Sequence, residues 1–338
     1  MSVLRFKFLI FLICVIYNQD LIKSTEFSCN ESASCGCSQY NAIVNSRIVG
    51  GEPAVNHSWG WAASLRVISG IHICGGTILS PIYILTAAHC VDDPEIMNYN
   101  LKAAVGTDTL TDDEGLRISV EKIYLHPQWT PKTNENDIAV LKLITPIEFF
   151  NTSVAKICLP SISVSLATKF PKIDSSLVAI GWGSTTTPDG DTSNVLRQVT
   201  VQAIDSRERK CNNSINNPTL QFCAAVSDGG KDTCLGDSGG PIMYFSEVHQ
   251  RWIIVGITSY GRGCAVSIYA GVYTRISMYI DWIKSITETY QIITIDENSA
   301  AVSIRSNKVV VVSQLLLLLI LMIQILKHEI VESFHICQ

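Results

Sequence analysis

From residue 48 to about residue 274 the chain is a succession of short apolar runs, each closed off by Gly, Pro, Asn or Asp. Runs this short do not sustain ordinary helices, and turn residues at such intervals suit strands that reverse direction. The stretches 64–68, 77–79, 82–86, 102–105, 118–124, 138–143, 177–180, 195–203, 242–244 and 252–258 read as strands. Many short strands, with no repeat of roughly 20–50 residues, predict an all-β sandwich or barrel architecture in one large domain or two packed subdomains. The exception is 277–289. There Met278, Ile280, Trp282, Ile283 and Ile286 make an imperfect apolar stripe of a helix, and Ser277 stands where it can cap it.

The two ends have a different character. Arg5 and Lys7 precede an uncharged apolar run over 8–17, which reads as a secretory signal too short to span a bilayer. The signal is taken as residues 1–23, with the bonds after Tyr17 and Ser24 both open as cleavage points. Residues 24–47 are then a cysteine-containing propeptide, 48–290 the main domain and 291–308 a polar stalk. The segment 309–326 carries only Ser313, Gln314 and Gln324 as polar members. A helix over it rises about 27 Å, close to the hydrocarbon thickness of a membrane. It is read either as a single span with 327–338 as a short tail, or as the removed signal of a lipid anchor attached near Asn298-Ser299-Ala300-Ala301.

Twelve cysteines behind a secretory leader imply an oxidising compartment and disulfides. At 47% hydrophobic and 16% charged residues the chain is too apolar for disorder, and a net charge of −5 argues against nucleic acid as a partner. Asn30, Asn56, Asn151 and Asn212 open glycosylation sequons.

Three segments carry chemistry. Thr86-Ala87-Ala88-His89-Cys90 sets a histidine at a strand end, beside a cysteine that can fix it. Asn136-Asp137-Ile138-Ala139 sets a carboxylate at the mouth of an apolar strand. Gly236-Asp237-Ser238-Gly239-Gly240-Pro241 sets a serine in a glycine-rich turn. Singly, these are a packed histidine, a turn aspartate and a loop serine. Together they offer what nucleophilic catalysis requires. A serine hydroxyl needs a base to take its proton, and the oxyanion it creates needs preorganised N–H donors, which glycines let the backbone aim at one spot.

With Ile48-Val49-Gly50-Gly51 added, these motifs resemble the chymotrypsin/trypsin family of serine proteases, in that family's order of His, Asp and Ser. The resemblance covers roughly 48–290. It implies two six-stranded antiparallel β-barrels with a cleft between them and a C-terminal helix. It implies His89 as general base and then acid, Asp137 as its orienting carboxylate and Ser238 as nucleophile, with oxyanion donors on Gly236 and Ser238. Gly181-Trp182-Gly183 and Thr258-Ser259-Tyr260-Gly261 resemble the cleft walls, with Tyr260 where tryptophan is usual.

The same resemblance puts Asp232 at the base of the primary pocket, walled by Ser259, Gly261 and Gly271. A buried carboxylate there selects a cationic side chain, so cleavage after Arg or Lys is expected. Arg47-Ile48 is the expected activation bond: the α-amino group freed on Ile48 pairs with Asp237 and orders the oxyanion turn. The implied disulfides are Cys74–Cys90, Cys211–Cys223 and Cys234–Cys264. Cys158 tethers the propeptide through Cys29, Cys35 or Cys37. No cofactor is expected. Asp108, Asp112, Asp113 and Glu114 lie where some relatives bind calcium, but Thr107 and the loop length suit the ligands poorly, and a solvated acidic loop is the expectation.

The expected partners are protein or peptide substrates with Arg or Lys at the cut bond, a trypsin-like activating protease, protein inhibitors and, through 309–326, a membrane. The expected location is secreted or on the extracellular face. Two other classes compete. An inactive homologue serving as a binding module would usually lack one of His89, Asp137 and Ser238, and a structural surface protein would need neither Asp232 nor Arg47.

Overall fold

The computed structural model describes residues 24–30, 32–45, 51–67, 70–96, 98–111, 115–149, 153–184, 191–226, 237–261, 269–287 and 294–296. The chain divides into two units, Met1–Ile295 and Asp296–Gln338. The fold and the site belong to the first; of the second, only Asp296 is among the described residues.

The described residues begin with an antiparallel pair, β1 (Ser24–Phe27) and β2 (Ala42–Asn45), followed by the two-residue strand β3 (Glu52–Pro53). The first barrel is built from β4 (Ala62–Val67), β5 (Ile71–Ser80), β6 (Tyr83–Thr86), β7 (Lys102–Val105), β8 (Leu116–Leu125) and β9 (Ala139–Leu143). It closes in the order β4-β5-β6-β9-β8-β7. After β10 (Leu159–Ser161) come the strands of the second barrel. These are β11 (Ser176–Gly181), β12 (Arg197–Ile204), β13 (Gln221–Ala225), β14 (Pro241–Ser246), β15 (Arg251–Tyr260) and β16 (Gly271–Arg275). Its order is β11-β14-β15-β16-β13-β12, and β12 pairs back onto β11 to close the ring, with β3 added against β12. Every barrel pairing is antiparallel, so the two expected six-stranded barrels are present. Closure leaves neither sheet an open row of peptide groups.

Small barrels are filled by side chains. In the first, Leu65, Ile78, Ile84, Leu85 and Leu141 are all fully buried, with Ile84 and Leu85 on opposite faces of β6. Leu177, Ala179, Ile242, Val255 and Tyr273 share a buried cluster in the second. β6, β9 and β13–β16 are buried almost throughout, whereas β8 mixes buried, half-buried and exposed positions.

Ten of the twelve barrel strands fall on stretches expected from sequence. β13 and β16 were missed, and β5 is far longer than 77–79. The helical region also needs correcting. A 3-10 turn, Ile276–Met278, precedes a helix limited to Ile280–Ile286. Ser277 caps nothing: its hydroxyl donates to the carbonyl of Ala167 at 2.7 Å. Thr287 closes the helix by donating to the Ile283 carbonyl at 2.9 Å; residues 288 and 289 lie outside the described residues.

The β1/β2 pair is part of the folded body. Phe27 packs at a tilt on Phe245 and edgewise on Trp252, with ring centroids 5.0 and 4.9 Å away. Gly36 accepts from the Trp252 amide at 2.8 Å and donates to the Lys156 carbonyl at 2.7 Å. This seat answers the open pairing question: Cys35 bonds Cys158, and Cys29 bonds Cys37. Cys74–Cys90 and Cys211–Cys223 are also present. Cys234 and Cys264 lie outside the described residues, as do the signal 1–23, Asn151 and the apolar segment 309–326. Among the described residues no helix is long and apolar enough to cross a membrane. Asn56 and Asn212 are exposed and Asn30 is half-buried.

Candidate active site

Strand register explains how two residues 48 apart in sequence meet. β6 and β9 run antiparallel with Thr86 opposite Ala139. His89 follows Thr86 in one 3-10 turn, Ala88–Cys90, and Asp137 precedes Ala139, so both lie beyond the same end of the pair. The Cys74–Cys90 bridge ties that turn back to β5.

Asp137 is 0% exposed. Its Oδ1 accepts from the His89 amide at 2.9 Å, and its Oδ2 from His89 Nδ1–H at 2.8 Å. The Ser259 hydroxyl also donates to Oδ2, and Thr274 Oγ1 donates to the Asp137 carbonyl at 2.8 Å. A buried carboxylate is tolerable because charge-assisted bonds replace its water. The bond at Nδ1 commits that nitrogen as a donor, leaving Nε2 as the basic nitrogen of the neutral ring. Burial alone would push the His89 pKa down. The hydrogen bond to Asp137, the charge of Asp137 and that of Asp92 outweigh burial and hold it above its ordinary 6.5.

Ser238 lies in the turn that leads into β14. Gly239 has φ +77°, and a Cβ there would collide with Thr86 Oγ1 and the Gly75 carbonyl. Only glycine lets the turn come so close. It is locked there: the Gly75 amide donates to the Ser238 carbonyl at 2.7 Å, and the Gly239 amide to Thr258 at 2.9 Å. The serine-bearing turn therefore rests on the strand end that carries His89.

Asp237 faces the other way. The Gly183 amide donates to its Oδ1 at 2.9 Å, and a Cβ on Gly181 or Gly183 would overlap its carboxylate. Those glycines, read from sequence as cleft wall, are small because Asp237 occupies the space. Gly261 and Gly271 come to the same end of the β15/β16 pair, where Tyr260 is opposite Val272. A Cβ on Gly261 meets no described atom within 4 Å. Asp232, Gly236, Arg47 and Ile48 lie outside the described residues.

Of the four acidic residues, Asp108 is among the described ones, and it has partners within the fold. Asp108 accepts from the His57 amide at 2.8 Å and faces its Nδ1 at 3.2 Å. The buried Arg66 guanidinium donates to the carbonyls of Leu110 (2.9 Å) and Thr109 (3.2 Å). A side-chain cation thus occupies oxygens that a calcium ion would need, and the described part of the loop does not fit that ion. Asp112, Asp113 and Glu114 lie outside the described residues. Among the described residues the one cluster with metal-ligand spacing is Cys74, His89 and Cys90, whose sulfurs are tied up in a disulfide.

Sequence reasoning missed Thr274 and Tyr279, 137 and 143 residues from their partners. The Tyr279 hydroxyl donates to Asn136 Oδ1 at 3.1 Å. Burial first, then the charges of Asp137 and Glu135, raise its pKa well above the phenol value. No local pattern flags either residue.

The family model described as Trypsin matches residues 48–283. Among curated proteins, the Clotting factor G beta subunit of Tachypleus tridentatus is 32% identical over 260 residues, covering 72% of this chain and 81% of that protein.

Proposed function

We propose that this chain, which belongs to the trypsin family of serine proteases, is a secreted endopeptidase that cuts peptide bonds after Arg or Lys. The observation that carries this reading is the two-point hold of Asp137 on His89, with the Ser238 turn packed on the same strand end. In the proposed cycle His89 Nε2 takes the Ser238 proton as Oγ attacks the scissile carbonyl. Asp137 stabilises the imidazolium, and the N–H groups of Gly236 and Ser238 receive the oxyanion. His89 then protonates the leaving amine, and water repeats the sequence on the acyl-enzyme.

Asp232, with Ser259, Gly261 and Gly271, is the proposed pocket for the cationic side chain. Cleavage at Arg47-Ile48 is the proposed activation step. It releases an α-amino group for Asp237, whose carboxylate now takes the Gly183 amide. Four disulfides among the described residues suit an oxidising compartment, and a relative named for clotting fits extracellular work. An activating protease, protein inhibitors and membrane attachment through 309–326 complete the proposal.

Peptide anilides with Arg, Lys or Phe before the cut bond test it on the Arg47-cleaved protein. Faster turnover of Arg and Lys is the expected result; faster turnover of Phe rejects the pocket assignment. Arg47→Gln is expected to be inactive, and full activity in that variant rejects the activation step.

A further inference from the structure

The loop that presents Asp137 is gripped by the second barrel just before it reaches that residue. Between β8 and β9 the chain turns through two asparagines with left-handed backbones, Asn134 (φ 50°) and Asn136 (φ 57°). The loop is closed by the Thr130 amide donating to the Glu135 carbonyl at 3.0 Å. The carbonyls of Thr133 and Asn134 are met from the other barrel. Gln221 Nε2–H donates to the Asn134 carbonyl at 2.8 Å, and Asn216 Nδ2–H to the Thr133 carbonyl at 2.8 Å.

Gln221 begins β13 and is 1% exposed. Its Oε1 accepts from the amides of Asn216 (3.2 Å) and Asn217 (3.0 Å) and from the Tyr260 hydroxyl (3.3 Å). Its own carbonyl accepts from Arg275 Nη2 at 2.7 Å. A buried carboxamide bonded at both ends is held in one orientation, because releasing either end leaves a polar atom unpaired. Only Glu135 and Asn136 separate Asn134 from Asp137. Asn136 is itself buried, donating to the Gln128 carbonyl at 2.8 Å and accepting from Tyr279.

We infer that Gln221 is a positioning residue that, together with Asn216, latches the Asp137 loop to the second barrel and sets where Asp137 stands against His89. The inference rests on the reading of Asp137 and His89 as a working pair. Small displacements of such a pair are felt strongly in rate, since the reacting groups must be held within fractions of an ångström. The charged groups acting on His89 are Asp137, from the latched loop, and Asp92, which accepts from Trp129 Nε1–H at 3.0 Å. Glu135 lies within the loop itself.

Gln221→Met removes both ends of the latch without adding charge, and Asn216→Ala removes the second bond from an exposed side chain. In Arg47-cleaved protein with a small Arg ester, each variant is expected to keep KM while kcat falls, by roughly tenfold for Gln221→Met, the equivalent of one lost positioning interaction. The acid limb of kcat/KM is expected to move to lower pH, because a displaced Asp137 supports the imidazolium less. In the uncleaved chain the His89 Nδ1–H proton resonance is expected to move upfield. A folded variant with wild-type kcat, acid limb and resonance overturns the inference, and Asn216→Ala alone decides if Gln221→Met does not fold. Should the cleaved wild type hydrolyse nothing while the resonance still moves in the variants, the latch stands and the proteolytic reading fails.

Discussion

One carboxylate holds His89 at two points: Asp137 Oδ1 takes the backbone amide and Oδ2 takes ring Nδ1. The first bond sets where the residue sits, and the second sets which way the ring faces and which nitrogen keeps its lone pair. Because Asp137 is fully buried, no water competes for either bond. The β6/β9 register places the pair, Ser259 and Thr274 of the second barrel bond Asp137, and Tyr279, between the 3-10 turn and the helix, holds the neighbouring Asn136.

Asp137→Asn preserves shape but offers an amide N–H or a carbonyl where two acceptor oxygens stood. The ring then flips its preference of tautomer, and kcat is expected to drop by about 10⁴-fold with little change in KM. Steady-state kinetics on an Arg anilide check this; a drop of less than tenfold contradicts the assigned role.

The pH dependence follows from His89. Its pKa is raised in the folded protein, so the neutral base forms only as pH climbs through that raised value. The associated stability is full below the ordinary imidazole pKa of 6.5 and is lost as pH rises through the folded one. Asp92→Asn removes one of the charges holding it up and keeps an acceptor for Trp129, so the acid limb of kcat/KM is expected to shift downward. An upward shift contradicts the electrostatic account.

Gly239→Ala combines a left-handed backbone, costing about 1–2 kcal/mol, with a Cβ that collides with Thr86 and Gly75. The Ser238 turn is expected to move off the His89 strand end, with a lower melting temperature and loss of esterase activity. Wild-type activity in this variant contradicts the packing of that turn.

After cleavage at Arg47-Ile48, residues 24–47 are expected to stay attached through Cys35–Cys158. The fragments should run together on a non-reducing gel and separate with reductant; separation without reductant contradicts the pairing. Phe27→Ala empties a half-buried site between Phe245 and Trp252 and is expected to cost about 1–3 kcal/mol in urea unfolding.

The barrel architecture was legible because most strands are apolar runs ended by turn residues. β13 and β16 were not legible. Gln221-Phe222-Cys223-Ala224-Ala225 and Gly271-Val272-Tyr273-Thr274-Arg275 are buried on both faces and show no alternation, so nothing local separates them from loops. β5 was cut short because Gly75 and Gly76 look like breakers. Their reason is tertiary: side chains there would strike Gly240 and Ile84. The Cys158 partner was equally unreadable, since Cys35 is selected by how Gly36 seats on β15. The motif residues stood out by chemistry and order, whereas Thr274, Tyr279 and Gln221 act across barrel contacts that a linear reading does not contain.

The most direct test of Ser238 as a nucleophile activated by His89 is labelling of the Arg47-cleaved protein with a fluorophosphonate, the adduct being located by mass spectrometry. Stoichiometric modification at Ser238, absent in Ser238→Ala and strongly slowed in His89→Ala, is the predicted result. A cleaved, folded protein that takes up no label, or takes it up elsewhere, contradicts the account.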